Sequence, residues 1–170
     1  MLKKIGIFLI VVFLLGLVFL LISSHSGKTR DNTLDYKPST VTPAEKKASF
    51  AIYTNGTFRI FTSPMYHNLS EDVFIEPSNP NIVIVKRDGV TWRDFFSTLP
   101  FSVDERCLIT GTKQTFCTND NSTLQFFLNG KRNQKALNQI IESGDKLLIT
   151  YEAENSQIII NQINSLHDSN

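Results

Sequence analysis

The run from Ile5 to Ile22 limits where the rest of this chain can fold. It is 18 residues long, it carries no charged or polar side chain, and Gly6 and Gly16 are its only members that are not strongly apolar. A helix of this length spans about 27 Å, close to the roughly 30 Å hydrocarbon core of a bilayer. A helix in a soluble core would carry polar residues on one face. The pattern therefore predicts a transmembrane helix over residues 1–22 that anchors the chain in the lipid bilayer.

A cleaved secretory signal peptide is the alternative for this segment. The apolar region of a signal peptide usually runs about 7–15 residues before a small-residue cleavage site. The run here is longer, and its best cleavage candidate is the weak triplet Ser24-His25-Ser26. These features favour an uncleaved anchor.

The charges beside the anchor leave its orientation nearly tied, because Lys3 and Lys4 precede it while Lys28 and Arg30 follow it closely. The N-terminal flank is too short to be a domain, and the two cysteines of the chain have a spacing that suits a disulfide in an oxidising compartment. We therefore expect a single-pass protein of the cell membrane, with its N-terminus in the cytoplasm and its C-terminal domain outside.

Residues 23–47 are predicted to be a flexible linker. They contain four apolar side chains, two prolines and many Ser and Thr residues. Such a segment cannot bury enough apolar surface to offset the conformational entropy of the chain. The extracytoplasmic domain is accordingly placed at residues 48–170.

Short strands and helices alternate in this domain, which predicts the α+β class. Asn55-Gly56 lies between two apolar runs and predicts a β-hairpin. Thr91 and Asp94 form a capping motif for a helix over residues 91–99 that Pro100 ends. Helical spacing indicates another helix over residues 156–167, with a strand as the alternative there. The remaining predictions are a helix over residues 134–141 and strands over residues 72–76, 82–86, 106–110, 114–117, 124–128 and 146–151.

The two cysteines, Cys107 and Cys117, are predicted to pair. They are symmetric about Thr112, so an odd-length hairpin loop around Gly111 places them directly opposite each other. The alternatives are a redox couple or two unpaired thiols. Catalytic thiols typically sit two residues apart, with one at a helix N-terminus. The spacing therefore favours a structural disulfide.

Several classes of function lack their sequence signals. Residues 48–170 hold 10 Lys and Arg against 13 Asp and Glu, a net charge of −3 that disfavours nucleic acid as a partner. His25, His67 and His167 have no metal-ligand spacing, and His67 is interpreted as a solvated loop residue. No nucleophile elbow or phosphate-binding glycine loop occurs. We expect no enzymatic activity, no cofactor and no metal site.

Phenylalanine is the most unusual feature of the domain's composition, with ten of the 13 Phe residues after the linker. Phe126 and Phe127 are neighbours on a predicted strand and must point to opposite faces of the sheet. One ring is expected in the core, and the other is expected to cover a second element or a partner. These two residues, together with the sheet edge, are the predicted partner contacts.

Three segments of the chain, taken in order, resemble a known fold. They are a Thr-led helix entry at residues 90–99, a buried strand that ends in Asn129-Gly130, and Gly144-Asp145 before the strand of residues 146–149. In this respect the chain resembles the β-grasp (ubiquitin-like) fold, most closely its sulfur-carrier branch, which implies a mixed sheet. Those carriers are activated at a C-terminal Gly-Gly, which this chain lacks, so carrier chemistry is not implied. The domain is also similar to a group of uncharacterised, singly membrane-anchored bacterial proteins.

The sequence therefore favours a membrane-anchored, non-enzymatic module that binds or scaffolds an envelope protein or a second copy of itself. The alternative is an extracytoplasmic ligand-binding or redox-assisting domain that uses Cys107 and Cys117.

The orientation can be tested with a reporter that is active only after export, fused after Asn170. We expect activity, because the anchor is predicted to place this end of the chain outside. A reporter that works only in the cytoplasm, fused at the same position, serves as the control. Activity of that second fusion would reverse the orientation and remove the compartment argument for a disulfide.

Overall fold

The structure, a computed structural model, describes residues 45–153 and 156–166. The predicted anchor and nearly all of the predicted linker lie outside these ranges. The helices within them are α1 (Trp92–Thr98) and α2 (Ser156–Asn164), with 3₁₀ turns at Pro64–Tyr66 and Ala136–Asn138. The strands are β1 (Lys46–Thr54), β2 (Thr57–Phe58), β3 (Val73–Glu76), β4 (Asn79–Val85), β5 (Ser102–Val103), β6 (Cys107–Ile109), β7 (Thr115–Cys117), β8 (Thr123–Leu128), β9 (Lys131–Arg132) and β10 (Lys146–Glu152).

The main sheet is built around a parallel pair made by its first and last strands. Residues Ser49 to Thr54 of β1 run alongside Lys146 to Tyr151 of β10. The strand order is β3-β4-β1-β10-β8-β9, β2 pairs with the end of β1, and the other pairings are antiparallel. The α+β class and the mixed sheet are thus confirmed. Because β10 is covered on both faces, its residues after Lys146 form an unbroken buried run.

Helix α1 covers one face of this sheet and supplies three aromatic side chains to the core. Its side chains Trp92, Phe95 and Phe96 are at most 2% exposed. The ring of Phe50 on β1 lies 5.3 Å from that of Phe95 and 5.8 Å from that of Phe96, both in edge-on contacts. Aromatic side chains bury a large apolar area in a small domain, which accounts for the high Phe content.

The predicted capping motif defines the start of α1. The Thr91 hydroxyl accepts from the Asp94 N–H at 3.2 Å, and the Asp94 carboxylate accepts from the Thr91 N–H at 2.9 Å. Together these bonds satisfy two backbone donors at the start of the helix. The hydrogen bond from the Thr91 N–H, together with that from its hydroxyl, lowers the pKa of Asp94 from its ordinary value of 3.8.

Helix α2 covers the opposite face of the sheet. Ile159 and Leu166, at and just after this helix, form a second buried cluster with Ala51, Leu148 and Phe127. Phe126 points the other way, into the core under α1. The two rings therefore point to opposite faces, as expected, and Phe127 covers a second element, α2. Phe126 is 0% exposed and Phe127 is 9% exposed, so the pair does not present an exposed aromatic ring for a partner.

A buried carboxylate lies beneath α2. Glu152 at the end of β10 is 6% exposed, and its Oε1 accepts hydrogen bonds from the Thr150 hydroxyl at 3.0 Å and from the Gln162 side-chain amide. Removing a charged group from water costs free energy unless hydrogen bonds replace the lost hydration. The bond from Gln162 ties the C-terminal helix to the central strand.

Most local predictions are confirmed. Asn55 and Gly56 both have positive φ, at 51° and 74°, as a two-residue hairpin turn requires. Strand β1, however, begins at Lys46, inside the segment predicted as linker, because Lys46 and Lys47 pair with the end of β4. The Lys46 ammonium donates to Glu142 at 2.9 Å, which raises the pKa of Lys46.

The predicted helix over residues 134–141 is wrong. The segment contains only the 3₁₀ turn Ala136–Asn138, and it then extends alongside the start of α1. The Trp92 N–H donates to the Gln139 carbonyl, and the Ile141 N–H donates to the Val90 carbonyl. A helix this short is marginal by itself, so these bonds to a distant segment decide its conformation.

Replacement of Asp94 by alanine is expected to lower the free energy of unfolding at pH 7 by about 1 kcal/mol, as loss of a capping side chain usually does. The folded-state pKa of Asp94 lies below its unfolded value, so its stabilising effect is present above pH 3.8 and is lost as the pH falls below it. Urea unfolding of a fragment spanning residues 41–170 should show the deficit at pH 7 and a smaller one near pH 3. An equal deficit in the exposed control Asp120→Ala would contradict the capping role.

Candidate functional site

The chain that follows β2 forms one side of a surface cavity. The Arg59 N–H donates to the Ile52 carbonyl at 2.8 Å, so pairing with β1 continues past the two residues of β2. Phe61 turns into the core, with its ring 5.0 Å from that of Phe50. Phe58 and Ile60 alternate with these positions and are 38% and 67% exposed. Two large apolar side chains are thus presented to solvent beside a buried one.

The loop after Phe61 folds back on this strand. The ring of Tyr66 packs edge-on against that of Phe61 at 5.2 Å, and His67 Nε2 donates to the Phe61 carbonyl at 2.8 Å. The interpretation of His67 as a solvated residue is wrong, because its side chain is buried. Its ring satisfies a carbonyl that the strand leaves without a partner, which holds the loop in place.

The opposite side of the cavity is the cysteine hairpin, which consists of β6, β7 and the loop Thr110 to Gln114. Cys107 and Cys117 are directly opposite each other and form a disulfide, as the spacing predicted. A Cβ atom on Gly111 would lie 2.9 Å from the Pro100 carbonyl oxygen, too close for any larger residue without a shift. Glycine therefore lets the loop approach the segment after α1.

Between these two sides lies a cavity of about 250 Å³, which we call the Arg59 cavity. Its walls are mostly apolar, and Arg59 is the charged residue among them. The lining residues are Ile52, Phe58, Arg59, Ile60, Phe61, Tyr66, Phe101, Leu108, Thr110, Gly111 and Thr112. A concave apolar surface with a few polar groups is the usual form of a ligand site.

Arg59 is held by neutral groups. Its Nε donates to the Thr54 hydroxyl at 2.6 Å, Nη1 lies 3.5 Å from the Gln114 side-chain oxygen, and the guanidinium lies over the Phe116 ring at 5.0 Å. Arg87 and Arg93, by contrast, form salt bridges with carboxylates. Within the described part of the chain, no carboxylate lies within ion-pair distance of Arg59. The cavity therefore contains a positive charge that no described residue neutralises locally.

Part of this site follows from the sequence pattern alone. After the Asn55-Gly56 turn, alternation along the strand puts Phe58 and Ile60 on one face and Arg59 on the other. No local pattern in the sequence indicates that the cysteine hairpin lies opposite Arg59. Nor does one indicate that no carboxylate of the described residues lies near this arginine. In residues 45–153 and 156–166, no group of three or more His, Cys, Asp or Glu side chains is placed to hold a metal ion.

Comparison with known proteins adds no assignment: no family model, no curated protein and no solved structure matches the chain. None of the helices described is long and apolar enough to cross a membrane, and the run from Ile5 to Ile22 lies outside the described residues.

The disulfide is expected to stabilise the cysteine hairpin. Replacement of both Cys107 and Cys117 by alanine should lower the free energy of unfolding by roughly 2–4 kcal/mol, because the bond restricts the unfolded chain. Denaturant unfolding of the wild type with reductant should show a similar loss. The double variant is the control, since its stability should not respond to reductant. Equal stability of all three samples would contradict this role.

Proposed function

We propose that the chain is a membrane-tethered, extracytoplasmic binding module without catalytic activity, and that the Arg59 cavity is where it contacts its partner. The observation that carries this proposal is the cavity itself, an apolar concavity with exposed apolar side chains at its mouth. Ile60 is 67% exposed, and Met65, whose Cε comes within 3.9 Å of the Cβ position on Gly111, is 51% exposed. Clustered exposed apolar side chains of this kind mark interaction sites.

The size of the cavity limits what can enter it. At about 250 Å³ it is larger than a 150 Å³ cavity that admits benzene, and smaller than the roughly 300–1,000 Å³ of pockets for drug-sized ligands. It therefore suits one apolar side chain with its immediate attachments. The rest of a larger partner would lie outside, against Ile60 and Met65.

We further propose that the domain is a β-grasp. Its support is the strand order, with the first and last strands parallel at the centre of a mixed sheet and one helix, α1, packed across it. In this chain α2 lies on the other face, so that face is not the proposed contact surface. We place the binding role instead at the Arg59 cavity, beside the end of β1 that pairs with β2.

The proposed location outside the membrane draws support from the Cys107–Cys117 bond, because disulfides persist mainly in oxidising compartments. A redox role for the same pair has weaker support. Both cysteines lie on paired strands, whereas reactive thiols are usually placed at a helix N-terminus or beside a cation that lowers the thiol pKa.

The proposal can be tested with a photocrosslinking amino acid placed at Ile60 of the full chain in cells. We expect a discrete adduct from this position and none from the control position Ile160, which is similarly apolar and exposed but lies on α2. Equal adducts from both positions, or none from Ile60, would count against the site.

Filling the cavity supplies a second arm of the same experiment. Thr112→Trp adds a large side chain to the cavity from an exposed loop position, so the Ile60 adduct should disappear. Lys113→Trp changes the neighbouring residue of that loop, which does not line the cavity, and should leave the adduct in place. An adduct that survives Thr112→Trp would show that the partner contacts Ile60 without entering the cavity.

A further inference from the structure

We infer that the group bound in the Arg59 cavity is the C-terminal carboxylate of a polypeptide whose last residue is apolar. This inference rests on the proposed function and names the partner chemistry at the same site. It is carried by the charge of Arg59, by the threonine hydroxyl groups that line the same cavity, and by the apolar surface around them.

The positive charge of Arg59 favours an anionic ligand. The side chain is half-buried, and in the described residues its Nη atoms meet one acceptor, the Gln114 side-chain oxygen, at the long distance of 3.5 Å. A guanidinium has five N–H donors in a planar fork that matches the two oxygens of a carboxylate. The Nε bond to Thr54 and the contact with Phe116 fix the plane of that fork before any ligand arrives. Arg59 is therefore held in place, and its Nη atoms keep N–H donors for a ligand.

The loop of the cysteine hairpin contributes a further donor. The hydroxyls of Thr110 and Thr112, which both line the cavity, are 3.0 Å apart, so one of them donates to the other. The Gln114 N–H is itself a donor to the Thr110 oxygen, at 3.0 Å. Whichever hydroxyl donates within the pair, the other retains its own proton. One O–H on this side of the cavity remains for an anionic ligand.

The surroundings favour a polypeptide end over other anions. One cation in an apolar cavity matches a single negative charge, whereas a phosphate carries up to two and is usually held by several cations. The volume of about 250 Å³ suits one apolar side chain beside its carboxylate. The exposed Ile60 and Met65 at the mouth give the preceding residues of a chain an apolar surface, which a free organic acid would not use.

The test uses the full chain in detergent and labelled hexapeptides Ser-Gly-Ser-Ala-Ala-X, where X is Val, Leu or Phe. Each peptide is made as the free acid and as the C-terminal amide, which keeps the shape and removes the charge. Fluorescence anisotropy should show at least one acid that binds about tenfold or more tightly than its amide, as loss of a charge-assisted hydrogen bond implies. The corresponding N-acetyl amino acids should compete weakly, since they lack the residues that contact the mouth.

Variants assign the effect to the cavity. Arg59→Gln should remove the preference for acid over amide, while Arg87→Gln, an exposed arginine beyond the opposite end of β1, should keep it. A preference that survives Arg59→Gln in a folded protein overturns the inference.

The possible failures are distinguishable. Equal binding of acid and amide overturns the carboxylate inference and leaves a binding cavity that recognises an apolar group. Binding of the N-acetyl amino acids as tight as that of the peptides replaces a polypeptide end with a small acid as the ligand. Binding of no probe overturns the inference, while the crosslinking at Ile60 decides separately whether the cavity receives a partner.

Discussion

The parallel pairing of β1 with β10 is the constraint on which the rest of this fold depends. It joins Ser49 to Lys146 across most of the described chain and places both strands in the middle of the sheet. Parallel neighbours require a long connection between them, so every other element must fit into that connection or follow it. Because the two strands are buried on both faces, each face needs a cover, which α1 and α2 provide.

The cavity forms at the edge of β1 opposite β10, where the pairing partner of β1 changes along the strand. Strand β4 pairs with Lys46 to Ser49, and β2 pairs with the far end at Tyr53 and Thr54. Phe50 and Ala51 lie between these two partners, and the chain that follows β2 turns toward the core at Phe61. The cysteine hairpin lies beside this part of the chain, and Gly111 allows its loop to approach Pro100 closely. The space left between the two is lined by apolar residues with Arg59 among them.

The position of α2 also determines which face of the sheet is covered. The sheet face that carries Ala51, Phe127 and Leu148 is covered by this helix, and Glu152 is buried beneath it with hydrogen bonds from Thr150 and Gln162. A buried carboxylate is tolerated only while such bonds persist, which links the placement of the helix to that of the central strand. The exposed side chains of Phe58 and Ile60 lie at the Arg59 cavity.

The sequence by itself determined the features that depend on a few neighbouring residues. These are the Asn55-Gly56 turn, the Thr91 and Asp94 cap, and the opposition of Cys107 and Cys117, because local backbone preferences and strand alternation decide them. Tertiary structure decided the conformation of residues 134–141 and the burial of Phe127 and His67. It also decided the placement of Arg59 in a cavity with no carboxylate near it in the described residues. Each of these depends on which distant segments meet, and no local pattern records that.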